Sequence, residues 1–273
     1  MTAIELDDVS FTYPGSTRPA LNSVTAGFSP GTVTLVTGPL GAGCSTLLLV
    51  ASGLAPHVTG GRRTGKVAVL GRDPSVNAER RALGGLVGLL LPTPWTQLSG
   101  LAPTVADEVA FGPANHGWPL PRITDAVGGA MERGGIAHLA DRDPVTLSGG
   151  EVQRVMLAAL MAMEPQVYLL DEPALELDPS GADALYRLLP ELARTATVIV
   201  ASTDVDRAAE VAGRVLLLKE GRCIADGSPD SVLGSDAAAD LRASTTVAAV
   251  ARMAGLGAPY PITVSAALRR LGP

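Results

Sequence analysis

Lysine is nearly missing from this chain: of its 21 lysine and arginine residues, only Lys66 and Lys219 are lysines. Cysteine is scarce too. Two residues, Cys44 and Cys223, build no disulfide framework and point to a reducing, cytosolic setting. Aromatic residues make up 3%, so any well-placed ring stands out. Long hydrophobic runs are lacking: the most apolar stretches, residues 155–163 and 215–218, fall far short of the ~20 residues that span a bilayer. Basic charge is in deficit as well. A formal net charge of -6 and a pI near 5.1 give no basic stripe to neutralise phosphates, which argues against a nucleic-acid partner. Glu5, Asp7 and Asp8 precede any apolar stretch, so the start of the chain does not read as a signal peptide.

Material for a core is plentiful. The 273 residues are 47% hydrophobic with a mean hydropathy of +0.28, which suits one large domain with room for an appendage. Residues 2–12 alternate apolar and polar positions, with Ile4, Leu6, Val9 and Phe11 apolar, as a half-buried strand does. Tyr13-Pro14-Gly15-Ser16 is turn chemistry, and a second strand reads from Leu21 to Phe28. Residues 32–37 form a short β-branched run suited to a buried parallel strand. Further strands are expected at 66–70, 86–91, 167–170, 197–201, 215–218 and 222–225. Helices are expected at 149–163, 180–193 and 205–212, with a mostly helical stretch over 104–138. Strands alternating with helices imply an α/β fold with a largely parallel sheet. From about residue 235 the chain is alanine-rich and reads as a small helical appendage.

The strand at 32–37 runs into Gly38, Pro39, Leu40, Gly41, Ala42, Gly43, Cys44, Ser45 and Thr46, and then into an apolar helix through Leu54. Strand, glycine-rich turn, Ser/Thr and helix are the context of a phosphate-binding loop. Its glycines let backbone N–H groups converge on phosphate oxygens, and the helix N-terminus adds a positive dipole end. Ser45 stands where the Mg²⁺-ligating hydroxyl belongs. The pattern G-x-x-x-x-G-K-[ST] is met at every defined position except the lysine, which is Cys44, and neither Lys66 nor Lys219 adjoins the loop. Taken alone, the stretch also fits a tight glycine turn with no ligand. Cys44 itself has two readings. A thiol at a helix N-terminus has a lowered pKa and is alkylated unless nucleotide covers it; alternatively it is an inert small residue in the lysine's place, the reading favoured here.

Two more motifs carry chemistry. Val167-Tyr168-Leu169-Leu170-Asp171-Glu172-Pro173 puts two carboxylates at the C-terminal end of a buried strand, the edge where open α/β sheets bind ligands. Asp171 is placed to hold Mg²⁺ and Glu172 to polarise an attacking water as a general base. On their own they also fit a strand-ending turn of two solvated acids. Leu147-Ser148-Gly149-Gly150-Glu151 opens a helix. It fits a capping box, and equally a Ser-Gly-Gly clamp for a γ-phosphate.

With these pieces in this order, residues 2–232 resemble the ATP-binding-cassette (ABC) ATPase family. The serine-glycine string looks like that family's signature motif, Gly38–Thr46 like its Walker A and residues 167–172 like its Walker B. Asp178, after Leu177, matches the D-loop, and Tyr13 lies where the family stacks an aromatic ring on adenine, unless it is an ordinary turn tyrosine. Residues 93–100 and 104–113, together with Asp226-Gly227-Ser228-Pro229, look more narrowly like the ATPase subunits of energy-coupling-factor (ECF) importers. The resemblance implies a P-loop NTPase fold with a RecA-like core, an antiparallel β subdomain, a helical signature subdomain over about 92–163, and a C-terminal helical extension. It divides the chain into a cassette, 1–232, and an extension, 233–273, which in that subgroup helps join two ATPase subunits. ATP and Mg²⁺ are the implied cofactors.

Three positions depart from the family pattern. Besides Cys44 for the lysine, Pro92 stands where the Q-loop glutamine belongs, and Thr203 where the switch histidine belongs. Gln97 is nearby, but the importer subgroup has its own glutamine there, so it is no replacement. His57, His116 and His138 all lie earlier in the chain. The losses fall on the chain's own nucleotide side, while the signature, Asp171, Glu172, Ser45 and Asp178 remain. In this family two ATPase domains pack head to tail, so each site joins Walker residues of one to the signature of the other. The resemblance therefore implies an importer subunit at the cytoplasmic face of the cell membrane, coupling ATP hydrolysis to uptake of a vitamin or metal ion. Its partners would be a second ABC ATPase subunit with an intact Walker A, a transmembrane coupling subunit and a substrate-binding membrane subunit. The isolated chain is expected to show little or no ATPase activity, with Glu172 a relic, a structural residue or a weak base. A homodimer with two weak sites, and a nucleotide-sensing or assembly module without hydrolysis, are the alternatives.

Overall fold

A computed structural model describes residues 2–271. Met1, and Gly272 and Pro273 at the end of the expected extension, lie outside the described residues. The strands in chain order are β1 (Ile4–Thr12), β2 (Leu21–Phe28), β3 (Val33–Thr37), β4 (Arg62–Val69) and β5 (Val87–Leu90). They are followed by β6 (Val167–Asp171), β7 (Thr197–Ala201), β8 (Arg214–Lys219) and β9 (Arg222–Gly227). Two sheets result. An antiparallel sheet has the order β2-β1-β4, and a six-stranded sheet has the order β5-β6-β7-β3-β8-β9. All pairs in the second sheet are parallel except β8 with β9.

Sequence explains the difference between them. Every residue of β3 (VTLVT), β6 (VYLLD) and β7 (TVIVA) is buried, because a parallel strand covered on both faces has no solvent side to make polar. Successive residues feed two cores. Leu35, Leu170, Val198 and Leu217 pack with helices Gly149–Ala162 and Pro179–Ala193, while Val36, Leu169, Ile199 and Leu216 pack with helix Cys44–Ser52 and the antiparallel sheet. Strand β4 begins four residues before the expected 66–70. Its polar first half pairs with the end of β1 (Thr12 with Arg62, Phe11 with Arg63, Ser10 with Thr64), so backbone bonding extends the strand where hydrophobicity gives no signal.

Arg63 of β4 also holds the loop that follows. Its guanidinium donates to both Asp73 carboxylate oxygens, at 2.9 and 2.7 Å. Burial alone would raise the Asp73 pKa, but the Arg63 and Ser75 hydrogen bonds outweigh it and hold the carboxyl at about 2. A depressed carboxylate pKa stabilises the fold above its unfolded value, and the gain is lost as pH falls through the folded value. Unfolding midpoints of wild type and Asp73→Asn are therefore expected to differ at pH 6 and to converge by about pH 2. A gap that persisted unchanged into acid would contradict this pairing.

The registers decide where chemistry can occur. Val36 of β3 and Asp171 of β6 both pair with Ala201 of β7. The glycine turn after β3, the acidic end of β6 and the 202–203 segment after β7 thus sit side by side at one sheet edge. Helices Val105–Asn115, Leu120–Arg133 and Gly149–Ala162 pack on one another beside this core. Four short helices, Pro229–Leu233, Asp236–Asp240, Thr246–Met253 and Val264–Leu271, end the described chain. Among the described residues, no helix is long and apolar enough to cross a membrane.

Candidate functional site

The carboxyl edge of the parallel strands opens into a cleft of about 300 Å³. Tyr13, Ala20, residues 38–46, Asp171, Glu172 and residues 201–203 line it. The turn has to be glycine-rich for steric reasons. Gly41 and Gly43 sit at φ of 80° and 108°, and a Cβ on Gly43 would lie 2.5 Å from the Ala20 carbonyl. Ala42 faces inward: its N–H donates to Pro39 O, and its own carbonyl accepts from Gly221 N, both at 2.9 Å. Among the described residues, the N–H groups of Gly41, Gly43, Ser45 and Thr46 make no hydrogen bond. That leaves unpaired backbone donors at a helix N-terminus, a donor set that fits a phosphate.

Across the cleft, Ser45 Oγ donates to Asp171 Oδ1 at 3.0 Å. Burial and the neighbouring Glu172 charge push the Asp171 carboxyl up to about 6, against the opposing Ser45 bond. A hydroxyl and a carboxylate are the oxygen ligands Mg²⁺ takes, with phosphates and water completing its shell. Among the described residues no cluster of three or more His, Cys, Asp or Glu side chains could cage a metal alone. Tyr13 stands at the mouth, its hydroxyl 3.2 Å from Thr46 Oγ1 and its ring edge-on to Phe11 at 4.8 Å between centroids.

Cys44 corrects one of its two sequence readings. Burial, and then the charge of Asp171, push its thiol up to about 12 rather than down. The helix terminus is outweighed because the residue faces carboxylates in a sparsely hydrated corner. Alkylation of Cys44 by iodoacetamide at pH 7.5 should therefore be very slow, with a thiolate population about a thousandfold below that of an unperturbed thiol. Peptide mapping distinguishes it from Cys223, and rapid labelling at Cys44 would refute the assignment.

Glu172 is held more firmly than its motif suggests. At φ 44° its carboxylate turns back to accept from Thr203 N at 2.8 Å and from Ser202 Oγ at 3.2 Å. Ser202 Oγ in turn lies 2.9 Å from the buried Tyr186 hydroxyl and accepts from Asp204 N at 3.0 Å. Burial keeps the Tyr186 phenol protonated, its pKa raised to about 12, so it completes a donor chain onto Glu172. Neither Ser202 nor Tyr186 was visible to sequence reasoning; adjacency to Thr203 was the only signal for the first, and there was none for the second. Among the described residues lining the cleft, none is lysine, arginine or histidine. Gln97 offers no substitute: its amide binds Leu91 N at 2.7 Å and Leu89 O at 2.9 Å, bracing the end of β5 next to Pro92.

The serine-glycine turn lies elsewhere. None of Leu147, Ser148, Gly149, Gly150, Glu151 or Asp178 lines the cleft. Ser148 caps helix Gly149–Ala162 in a full capping box, with its N–H and hydroxyl 2.7 and 2.8 Å from Glu151 Oε2. Those bonds hold the Glu151 carboxyl below its ordinary pKa. Asp178 caps helix Pro179–Ala193 through Gly181 N at 3.1 Å and pairs with Arg154 at 3.3 Å. The fully buried Gln153 ties helix Gly149–Ala162 to the acidic turn, donating to Pro173 O at 2.9 Å. The cleft and the serine-glycine turn are thus two separate places on the chain, each at a helix N-terminus.

Comparison with known proteins decides the family. A family model described as ABC transporter matches residues 21–175. The chain belongs to the ABC transporter family. An energy-coupling factor transporter ATP-binding protein, EcfA, of Methanothermobacter thermautotrophicus is 36% identical over 269 residues, covering 96% of this ABC chain and 84% of that protein. A Methanosarcina acetivorans protein named as an ABC transporter ATP-binding protein is 36% identical over 232 residues. The ABC chain spans only 37% of that protein's length. Among solved structures, cbiO1 from Clostridium perfringens, described as part of the ABC transporter complex cbiONQ, superposes with a TM-score of 0.76 at 27% identity. That match covers 93% of this chain and 99% of cbiO1. The RecA-like core with its antiparallel sheet is thus the ABC cassette fold.

Proposed function

We propose that this chain is the ATP-binding subunit of an ECF-type importer, peripheral on the cytoplasmic face of the membrane, whose main catalytic contribution is to its partner's site. The cassette spans 1–232 and the helical extension 233–273. The observation that carries the reading is the mismatch between its two half-sites. The cleft keeps its glycine turn, Ser45, Asp171 and Glu172 but has no cation among its lining residues, whereas the Ser148–Gly150 turn keeps a complete helix N-terminus.

In this reading the loop amides of residues 41–46 hold nucleotide phosphates weakly, and Tyr13 meets the adenine. Ser45 and Asp171 hold Mg²⁺, which would neutralise phosphate charge. Glu172, fixed by Thr203 N and Ser202, orients water without the lysine and histidine that complete such a site. A second ABC ATPase subunit with an intact Walker A brings its nucleotide to Ser148, Gly149 and Gly150, while Asp178 stays at the seam. A transmembrane coupling subunit and a substrate-binding membrane subunit complete the importer, whose cargo is a vitamin or metal ion. The relative named for energy-coupling-factor transport, aligned over most of both chains, supports this placement.

The test is reconstitution. The isolated chain should hydrolyse ATP barely above background, and the complex with the partner ATPase co-expressed with it should be active. Full activity in the isolated chain would overturn the reading.

A further inference from the structure

Of the carboxylates Glu151, Glu176 and Asp178, one is left without a partner among the described residues. Glu151 pairs with Arg142 at 3.2 Å, and Asp178 pairs with Arg154 at 3.3 Å. Glu176 forms no hydrogen bond or ion pair among the described residues. Yet it is not remote. A Cβ built on Gly149 would lie 2.6 Å from Glu176 Oε2, and one on Gly150 would lie 2.9 Å from the Glu176 carbonyl. The loop therefore lays an exposed carboxylate directly along the first helical turn, flanked by Leu175, which is 62% exposed. Either glycine replaced by a larger residue would dislodge it.

We propose that Glu176 is an electrostatic brake on this turn: its unpaired carboxylate opposes the nucleotide phosphate that the turn receives, and so raises the KM of the site the turn completes. This rests on the reading that Ser148–Gly150 serves a partner's nucleotide. An arriving phosphate must share the Ser148 hydroxyl with Glu151 while it approaches the Glu176 charge. Opposition between like charges a few ångströms apart is screened by salt where solvent has access. The brake therefore acts on nucleotide affinity rather than on the chemical step, and it weakens as ionic strength rises.

The experiment measures ATP hydrolysis by the complex with the co-expressed partner ATPase, at about 50 and 500 mM salt. Glu176→Gln should lower KM for ATP about three- to tenfold at low salt, with kcat nearly unchanged and the difference shrinking at high salt. Glu191→Gln, on an exposed face of helix Pro179–Ala193, should leave KM alone. Equal KM in wild type and Glu176→Gln, or an equal fall in Glu191→Gln, overturns the brake. If Ser148→Arg abolishes activity while Glu176→Gln changes nothing, the brake alone fails. Activity that survives Ser148→Arg overturns both the brake and the reading beneath it.

Discussion

Ser148→Arg is expected to abolish ATP hydrolysis by the assembled complex, by about a hundredfold or more, while this chain stays folded. The magnitude follows from what the turn offers. Oriented donors aimed at developing phosphate charge are typically worth about two to three orders of magnitude in rate. An arginine at Ser148 removes one such donor and inserts a long side chain over Gly149 and Gly150. The structural cost is smaller, because Ser148 is a surface N-cap whose bonds are to Glu151. Losing such a cap costs about 1 kcal/mol. The discriminating measurement is therefore a pair of curves: thermal unfolding of the isolated variant, shifted by only a few degrees, and ATPase activity of the complex, lost. Ser148→Ala gives an intermediate case, since it removes the hydroxyl without blocking the turn. If Ser148→Arg unfolded the chain, the loss of activity would say nothing of the turn; Ser148→Ala would then carry the comparison.

Much of this arrangement was legible in the order of residues. The strands Leu21–Phe28 and Thr197–Ala201 have the bounds that the residue pattern sets, because local patterning and tertiary burial agree there. The glycine turn after β3, the acidic end of β6 and the capping box of Ser148 and Glu151 were legible for the same reason: each is a contiguous string with a local mechanism. What escaped depends on approach in three dimensions. The Cys44 thiol sits at a helix N-terminus, which argues for a lowered pKa, but the fold half-buries it beside Asp171, and that raises its pKa instead. Tyr186 reaches Ser202, in the loop after β7, from helix Pro179–Ala193, sixteen residues away in sequence, and no spacing rule joins them. Glu176 reads as an ordinary loop acid until Gly149 is seen to lie against it. Polar strand ends such as residues 62–65 were missed because pairing with β1, not hydrophobicity, makes them extended.

Cys44→Lys is the converse experiment, and it should tighten ATP binding to the isolated chain by roughly ten- to a hundredfold. A hydrogen bond to a charged group contributes about 1.5–3 kcal/mol, and about 1.4 kcal/mol is a factor of ten. The site favours the substitution electrostatically. Asp171 and Glu172 both raise the Cys44 pKa through their charges, so the same two groups would attract an ammonium. Position 44 opens helix Cys44–Ser52 between Gly43 and Ser45, and the Gly38–Gly43 turn already has its required backbone. A cation introduced there would also lower the Asp171 carboxyl from its raised value, since an opposite charge favours the ionised form. Hydrolysis is not expected to return, because Pro92 offers no side-chain amide and Thr203 presents only its backbone N–H to Glu172. Isothermal titration with ATP, with and without Mg²⁺, reads the affinity, and a phosphate-release assay reads turnover. Unchanged affinity would mean that the loop amides do not receive a phosphate at all. A fully active isolated variant would mean that the single missing amine, rather than the group of three departures, had silenced the site.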